Sequence, residues 1–350
     1  MVLVVGQNSV WQNTYRLRNL ARGSVNRVEM VFRSAAGKGA NVARALRFLG
    51  RDSYLIAYAG GPNGRKFVDA CDADGIRSQM IEIGQETRIC TTLIDGSGTI
   101  TEIVEPAPAV TDAESLRFRE AATSRIAGAA FLVVSGTAVK GESDDCYLRL
   151  IESAHKSGVP VLLDSYQAHG RLALDAGPEI LKINGDELAE LTGLPTKTAS
   201  LRAEAARAIM NRYAVRWVIV TRGREGAEGF DEASAVAASA PHVDLVNAIG
   251  SGDSFTAGVV AHLLASQAHG SAGADGPDSG AHPGAPGSEP EGLGLQVGNR
   301  EQFPWGAAIG EAVRIGTAMG TANCMNIKPA HIEQPDFERI LAAVRVGEAE

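Results

Sequence analysis

A chain of 350 residues, 45% of them hydrophobic, can bury one large core or two modest ones. Its formal net charge of −8 excludes the basic stripe of a nucleic-acid protein, and no apolar run approaches the roughly 20 residues needed to span a bilayer. Cys71, Cys90, Cys146 and Cys324 form no Cys-x-x-Cys pair and no zinc pattern, so reduced thiols in a cytoplasm are expected.

Met1 to Gly6 lacks a basic flank and reads as a buried first strand rather than a leader. Alternation in Tyr15-Arg16-Leu17-Arg18 and in Val28 to Phe32 predicts strands with one wet face. A glycine loop, Ala36-Gly37-Lys38-Gly39-Ala40-Asn41, then opens a helix. Val42, Ala45, Leu46 and Leu49 share one face of it, and Gly50 is the stop. Lys38, a compact ammonium between Gly37 and Gly39, suits a phosphate or a sugar hydroxyl. Asn41 on its own reads as a helix cap. Residues 54–59 form a strand, a helix runs to about Asp74, and a strand follows near Ser78 to Ile83. Between residues 86 and 103 two alternating runs flank a Gly-containing turn, which predicts a β-hairpin.

From residue 112 strands and helices alternate, the mark of a parallel sheet. Four apolar strands end on polar residues: Ser135, Asp164, Asn184 and Thr221. That carboxyl edge is where open α/β sheets bind ligands. Any one of these residues could be turn chemistry, but four in succession favour a site.

The stretch Val246 to Phe255 contains the second glycine loop, Gly250-Ser251-Gly252-Asp253. Residues 253–264 read as a helix, with Phe255, Val259 and Leu263 at helical spacing. The N–H groups of residues 250–253 therefore meet a helix start, which favours an anion. Asp253 beside such a site is a poor phosphate ligand, but it is well placed to take a proton from an attacking hydroxyl. Taken alone, Gly-x-Gly-Asp reads first as an ordinary capped helix start. Thirteen of residues 270–298 are Gly or Pro, so the segment near 268–300 is expected to be a flexible surface insertion. A helix from about Trp305 to Asn323 should follow it.

The two glycine stretches lie in this order about 200 residues apart. Together they resemble both signatures of the PfkB (ribokinase-like) carbohydrate kinase family, and the likeness covers nearly the whole chain. Gly-Lys-Gly-x-Asn-Val-Ala-Arg is most similar to the tagatose-6-phosphate kinase and 1-phosphofructokinase branch. The resemblance implies an α/β, ribokinase-like three-layer sandwich over residues 1–350. Its central sheet would be mostly parallel, and a small β-sheet lid would come from residues 8–35 and 86–105. The implied reaction is ATP-dependent phosphorylation of a hydroxyl on a sugar phosphate, with Asp253 as base and ATP and Mg2+ as cofactors.

By the same resemblance Arg27, Lys38 and Arg88 would hold the substrate phosphate. Gln12, Gly37, Gly39, Asn41 and Ser135 would contact the rest of the substrate. Asn184, Thr221, Gly223, Gly226, Asn247, Gly320 and Asn323 would lie along the nucleotide, and Asn184 with Glu187 would hold Mg2+ through water. A homodimer paired through the lid is expected, in the cytoplasm, with no nucleic-acid or membrane partner. One departure stands out. Where the family pattern reads Asn-Pro-x-x-Asp, this chain has Ser9 and Gln12 at the Pro and Asp positions. Two other readings stay open: a kinase of an unphosphorylated sugar or nucleoside, and a non-catalytic binding protein on the same fold.

Overall fold

A strand that is apolar on both faces must be covered on both faces, and alternation along the strands divides the core accordingly. The computed structural model describes residues 1–272, 305 and 309–349. In chain order, β1 (Val2–Val5) leads to β2 (Val10–Leu17), β3 (Val28–Ala36), α1 (Lys38–Phe48), β4 (Ser53–Ala59), α2 (Gly61–Ala73) and β5 (Ser78–Glu82). A hairpin of β6 (Arg88–Ile94) and β7 (Ile100–Val104) precedes α3 (Asp112–Ile126). Then come β8 (Phe131–Ser135), α4 (Cys146–Lys156), β9 (Val161–Asp164), α5 (Ala168–Ala173), β10 (Ile180–Asn184), α6 (Gly185–Thr192), α7 (Ala199–Tyr213) and β11 (Trp217–Thr221). The chain closes with β12 (Ala227–Phe230), β13 (Ala235–Ser239), α8 (Ser251–Ala272), α9 (Ile309–Cys324), α10 (Gln334–Ala343) and β14 (Arg345–Glu348).

The large sheet has the order β14-β13-β12-β11-β10-β9-β8-β1-β4-β5. Pairing is parallel from β5 through to β11. Beyond β11, the strands β12, β13 and β14 add on antiparallel, which the sequence pattern did not signal. Val2, Val4, Phe131, Val133 and Trp217 enter one core with α1, α8 and α9. Leu3, Val5, Leu132, Val134 and Val218 enter the other with α3, α4 and α7. The result is three layers: helices, sheet, helices.

A second sheet has the order β3-β2-β6-β7. It is the small sheet expected from residues 8–35 and 86–105. The segment near 268–300 falls almost wholly outside the described residues, as does the expected start of the following helix near Trp305. The described part of that helix begins at Ile309. α8 starts at Ser251, inside the glycine loop and two residues earlier than expected.

Candidate active site

The carboxyl edge of the large sheet, the starts of α1 and α8, and one face of the small sheet enclose a cleft of about 770 Å3. That volume is typical of small-molecule sites. Parallel pairing of β8 to β11 puts their polar last residues side by side, with Ser135 opposite Asp164 and Asn184 opposite Thr221. Ser135, Asn184 and Thr221 line the cleft.

Both glycine loops present unpartnered donors. Gly37 caps α1 at φ 98°, where a Cβ would run into the Asn8 carbonyl, and no side chain caps the helix. The N–H groups of Lys38, Gly39 and Ala40 have no protein partner among the described residues. Gly250, at φ 84°, lets the second loop turn against Pro329 and Ala330. The N–H groups of Gly250, Gly252 and Asp253 likewise have no partner among the described residues. That of Ser251 donates to the Ala248 carbonyl at 3.2 Å and drops out of the expected anion hole. The Ser251 hydroxyl is likewise held, 3.1 Å from Cys324 Sγ and 2.9 Å from Asn323 Nδ2.

Asp253 is buried and faces the cleft. Its Oδ2 accepts from Asn41 Nδ2 at 2.8 Å. Burial pushes its pKa up and Asp164 adds to this. Lys38, the Asn41 hydrogen bond and Lys182 pull it down, and the net shift is upward. Asp164 and Lys182 complete a buried charge cluster. Asp164 takes Lys38 on Oδ1 at 2.9 Å and Lys182 on Oδ2 at 3.0 Å. Burial opposes its charge, but Lys182 and Lys38 outweigh it and bring the pKa down to about 2. Burial likewise disfavours the Lys38 ammonium, yet Asp164 and Asp253 hold its pKa above the ordinary lysine value. Lys38 leaves 42% of its side chain exposed.

Lys182 was missed by sequence reasoning. It is the one charge inside the apolar run Ile180-Leu181-Lys182-Ile183, and that was the available signal. It lines the cleft, and a Cβ on Gly252 would lie 3.0 Å from its Nζ, so the ammonium sits beneath the second glycine loop.

The small sheet roofs the cleft with Val10, Gln12, Arg88, Cys90, Ile100, Glu102 and Val104. Arg88 donates through Nη1 to the Glu105 carbonyl at 3.3 Å, and its Nε has no partner among the described residues. Gln12 spends Nε2 on Thr92 Oγ1 at 2.9 Å and on the Asn13 carbonyl at 3.0 Å. What it offers the cleft is the acceptor Oε1.

Several expected site residues stand elsewhere. Arg27 is exposed and does not line the cleft. Register explains this: Val10 pairs with Ala36 at the cleft end and Leu17 with Val28 at the far end. Seven strand steps separate the two ends by roughly 23 Å. Asn247, buried, spends Nδ2 on the Ile327 carbonyl and Oδ1 on the Ile249 N–H. Asn323 donates to the Ile249 carbonyl and accepts from the Ala330 N–H. Gly320 packs against the Ser251 carbonyl. These three brace the loop from behind and do not line the cleft. Gly223 and Gly226 shape the tight turn after β11, also outside the lining. Asn184 and Glu187 cap each other at the start of α6, at 2.9 and 3.0 Å. The Asn184 side-chain oxygen is thus already engaged, while Glu187 keeps one oxygen for the cleft.

Sequence comparison agrees with this geometry. A tagatose-6-phosphate kinase of Staphylococcus epidermidis is 30% identical over 271 residues, covering 76% of this chain and 86% of the relative. Among solved structures, phosphofructokinase-2 from Escherichia coli, in complex with substrates and products, aligns with a TM-score of 0.79 at 23% identity over 98% of both chains. Arabidopsis thaliana ribokinase with ribose and ATP aligns at 0.67 and 18% identity, over 97% of this chain and 98% of the other. These two likenesses speak for the fold. The sequence profile described as "pfkB family carbohydrate kinase" matches residues 1–281, and the chain belongs to that family of kinases.

Proposed function

We propose that this carbohydrate kinase transfers the γ-phosphoryl group of ATP to a hydroxyl of a sugar phosphate of the fructose or tagatose phosphate class. The observation that carries the reading is one cleft holding a buried Asp253 beside unpartnered loop N–H groups, with Arg88 in the roof. The name of the 30% identical relative points the same way.

In this reading Asp253 accepts the proton of the attacking hydroxyl, and burial, which raises its pKa above the ordinary carboxylate value, makes it a better proton acceptor. The N–H groups of Gly250, Gly252 and Asp253 receive the charge that develops on the transferring phosphoryl, and Lys182 lies just beneath them. Arg88 and the exposed part of Lys38 hold the substrate's own phosphate; a guanidinium with an unspent donor suits bidentate binding. Gln12 Oε1 and the remaining Asn41 N–H orient sugar hydroxyls.

No group of three or more His, Cys, Asp or Glu side chains among the described residues could cage a metal. Glu187, whose second carboxylate oxygen is unspent, would hold a triphosphate-bound Mg2+ through its waters. When bound, that ion offsets triphosphate charge. Thr221 and Asn184 flank the nucleotide, and the small sheet closes over the cleft as a lid that keeps out competing water. The lid also exposes Val28, Met30, Val31 and Ile103, none of which lines the cleft, and this apolar exposure suits lid-to-lid pairing in a homodimer. Arg27, at the lid's far end, would reach a cleft only in such a dimer. The four free cysteines fit a reducing cytoplasm.

A kinase of an unphosphorylated sugar is the second reading. The observation favouring it is Arg27's absence from the cleft, together with the commitment of Lys38 to Asp164. ADP release with Mg-ATP against fructose 6-phosphate, tagatose 6-phosphate, fructose 1-phosphate and the free sugars separates the two. Turnover on a phosphosugar, lost in Asp253→Asn, supports the first; turnover on free sugars alone overturns it.

A further inference from the structure

We propose that Arg44 is a positioning residue for the catalytic base, because it fixes the Asn41 amide in the one orientation that donates to Asp253. The proposal rests on the reading of Asp253 as that base. Asn41 stands between Asp253, whose Oδ2 lies 2.8 Å from Nδ2, and Arg44, whose Nη1 lies 3.3 Å from Oδ1. A carboxylate only accepts and a guanidinium only donates, so a single amide orientation satisfies both.

Arg44 itself is buried and has little freedom to move. Its Nε and Nη2 both donate to Asp74 Oδ2, at 2.9 and 2.7 Å, and Nη2 also donates to the Ala35 carbonyl at 2.8 Å. Nη1 further reaches the Pro329 carbonyl at 3.4 Å, beside the turn against which Gly250 packs. One side chain thus ties α1 to the turn that supports the second glycine loop. Asp74 has His331 on its other oxygen at 3.7 Å, and its pKa falls to about 2. It therefore stays charged and holds the guanidinium through the working pH range.

Without Arg44 the amide can rotate, and its oxygen can face the carboxylate. The base then loses both its aim and a donor that favours its ionised form. The other charges facing Asp253, Lys38, Lys182 and Asp164, stay in place.

The test is the pH profile of phosphosugar turnover by the full chain. Arg44→Met keeps the side chain's length but has no donor. Its kcat should fall at least about tenfold, with the KM of ATP within about threefold, and the acid limb should move to higher pH. Arg44→Lys, which can still donate to Asn41, should recover part of the loss. In an Asn41→Leu background, Arg44→Met should cost nothing more, since the two act as one unit. If Arg44→Met lowers only the melting temperature and leaves kcat and the acid limb as in wild type, or if the two losses simply add, the proposal is overturned. Arg44→Leu, which also lacks a donor, carries the same expectations should the Met variant not fold. If the wild type turns over no substrate, the kinase reading fails instead. The NMR signals of the Asn41 side-chain amide then carry the test. Their titration with Asp253 should have a higher midpoint in Arg44→Met, and an unchanged midpoint overturns the proposal.

Discussion

The floor and the roof of the cleft are built by different means. The floor is buried and over-determined. Asp164 is clamped by two lysines, Asp253 by Asn41, and the Gly250 loop by Asn247 and Asn323 from behind. The roof is a four-stranded sheet whose donors and acceptors are partly unspent. Arg88 has a spare N–H, Gln12 a spare oxygen, and Glu102 no ion pair among the described residues. A rigid floor suits chemistry that depends on sub-ångström placement. A lightly committed roof suits recognition that is completed by the substrate itself. In the proposed reading, variation at roof residues such as Gln12 would therefore change what is bound without touching the transfer chemistry.

Substitutions in the two regions should differ in kind, and the largest effect belongs to the floor. Asp253→Asn keeps a group that can accept from Asn41 but cannot take a proton. Its kcat should fall about 10^3-fold, within the range for a lost general base, with circular dichroism and melting temperature nearly unchanged. The wild-type acid limb should lie above the ordinary carboxylate range, because the Asp253 pKa is raised and activity is lost as pH falls through it.

Next comes Asp164→Asn, which should damage stability as well as rate. It leaves two lysines near each other with no anion between them, at a cost of about 3 kcal/mol in urea unfolding. The sign of the pH dependence follows from the depressed pKa, about 2 against 3.8. Stability from Asp164 is complete above about pH 4 and is lost as pH falls through about 2, an effect of order 2 kcal/mol. Asp74 adds in the same window and direction, less strongly because it is partly exposed. Asp253 opposes them, since a raised pKa gives stability that is lost as pH rises. Urea midpoints at pH 5 and pH 2.5 should differ less in Asp164→Asn than in wild type. An equal difference would remove Asp164 from the account.

The roof should give a smaller and more selective effect. Arg88→Met should raise the KM for a phosphosugar roughly 30-fold, about two kcal/mol for a lost charge-assisted pair, and leave the KM for ATP alone. An equal rise for the free sugar would make Arg88 a lid strut rather than a phosphate ligand. The smallest effect is expected for Arg27→Ala. In a monomer it should change neither KM nor kcat, because about 23 Å of strand separates it from the cleft. A loss that appears only at protein concentrations where dimers form would place Arg27 in the partner's cleft.

These contrasts also mark what the sequence made legible. Glycine loops, polar strand ends and the alternation of the lid are local signals, so Asp253, Ser135, Thr221 and the four-stranded sheet could be read directly. Asn247, Asn323 and Gly320 lie in motifs next to the site, yet their atoms face backbone groups of the loop rather than the cleft. Motif membership does not say which side of a loop a residue occupies. Lys182 was hidden because a buried strand usually excludes charge, and its partner Asp164 lies 18 residues away on the neighbouring strand. Arg44 was hidden for a similar reason. It reads as a helix-surface charge until α1 is packed beside Asp74 and the turn at Pro329. The antiparallel β12 to β14 carried no pattern strong enough to set their direction.

The most direct test of the central claim is 31P NMR of a reaction with Mg-ATP and fructose 6-phosphate or tagatose 6-phosphate. The account predicts a second phosphomonoester resonance on the sugar, growing in step with ADP and absent in Asp253→Asn. Inorganic phosphate as the only new signal, or a product formed only when the free sugar is supplied, would contradict it.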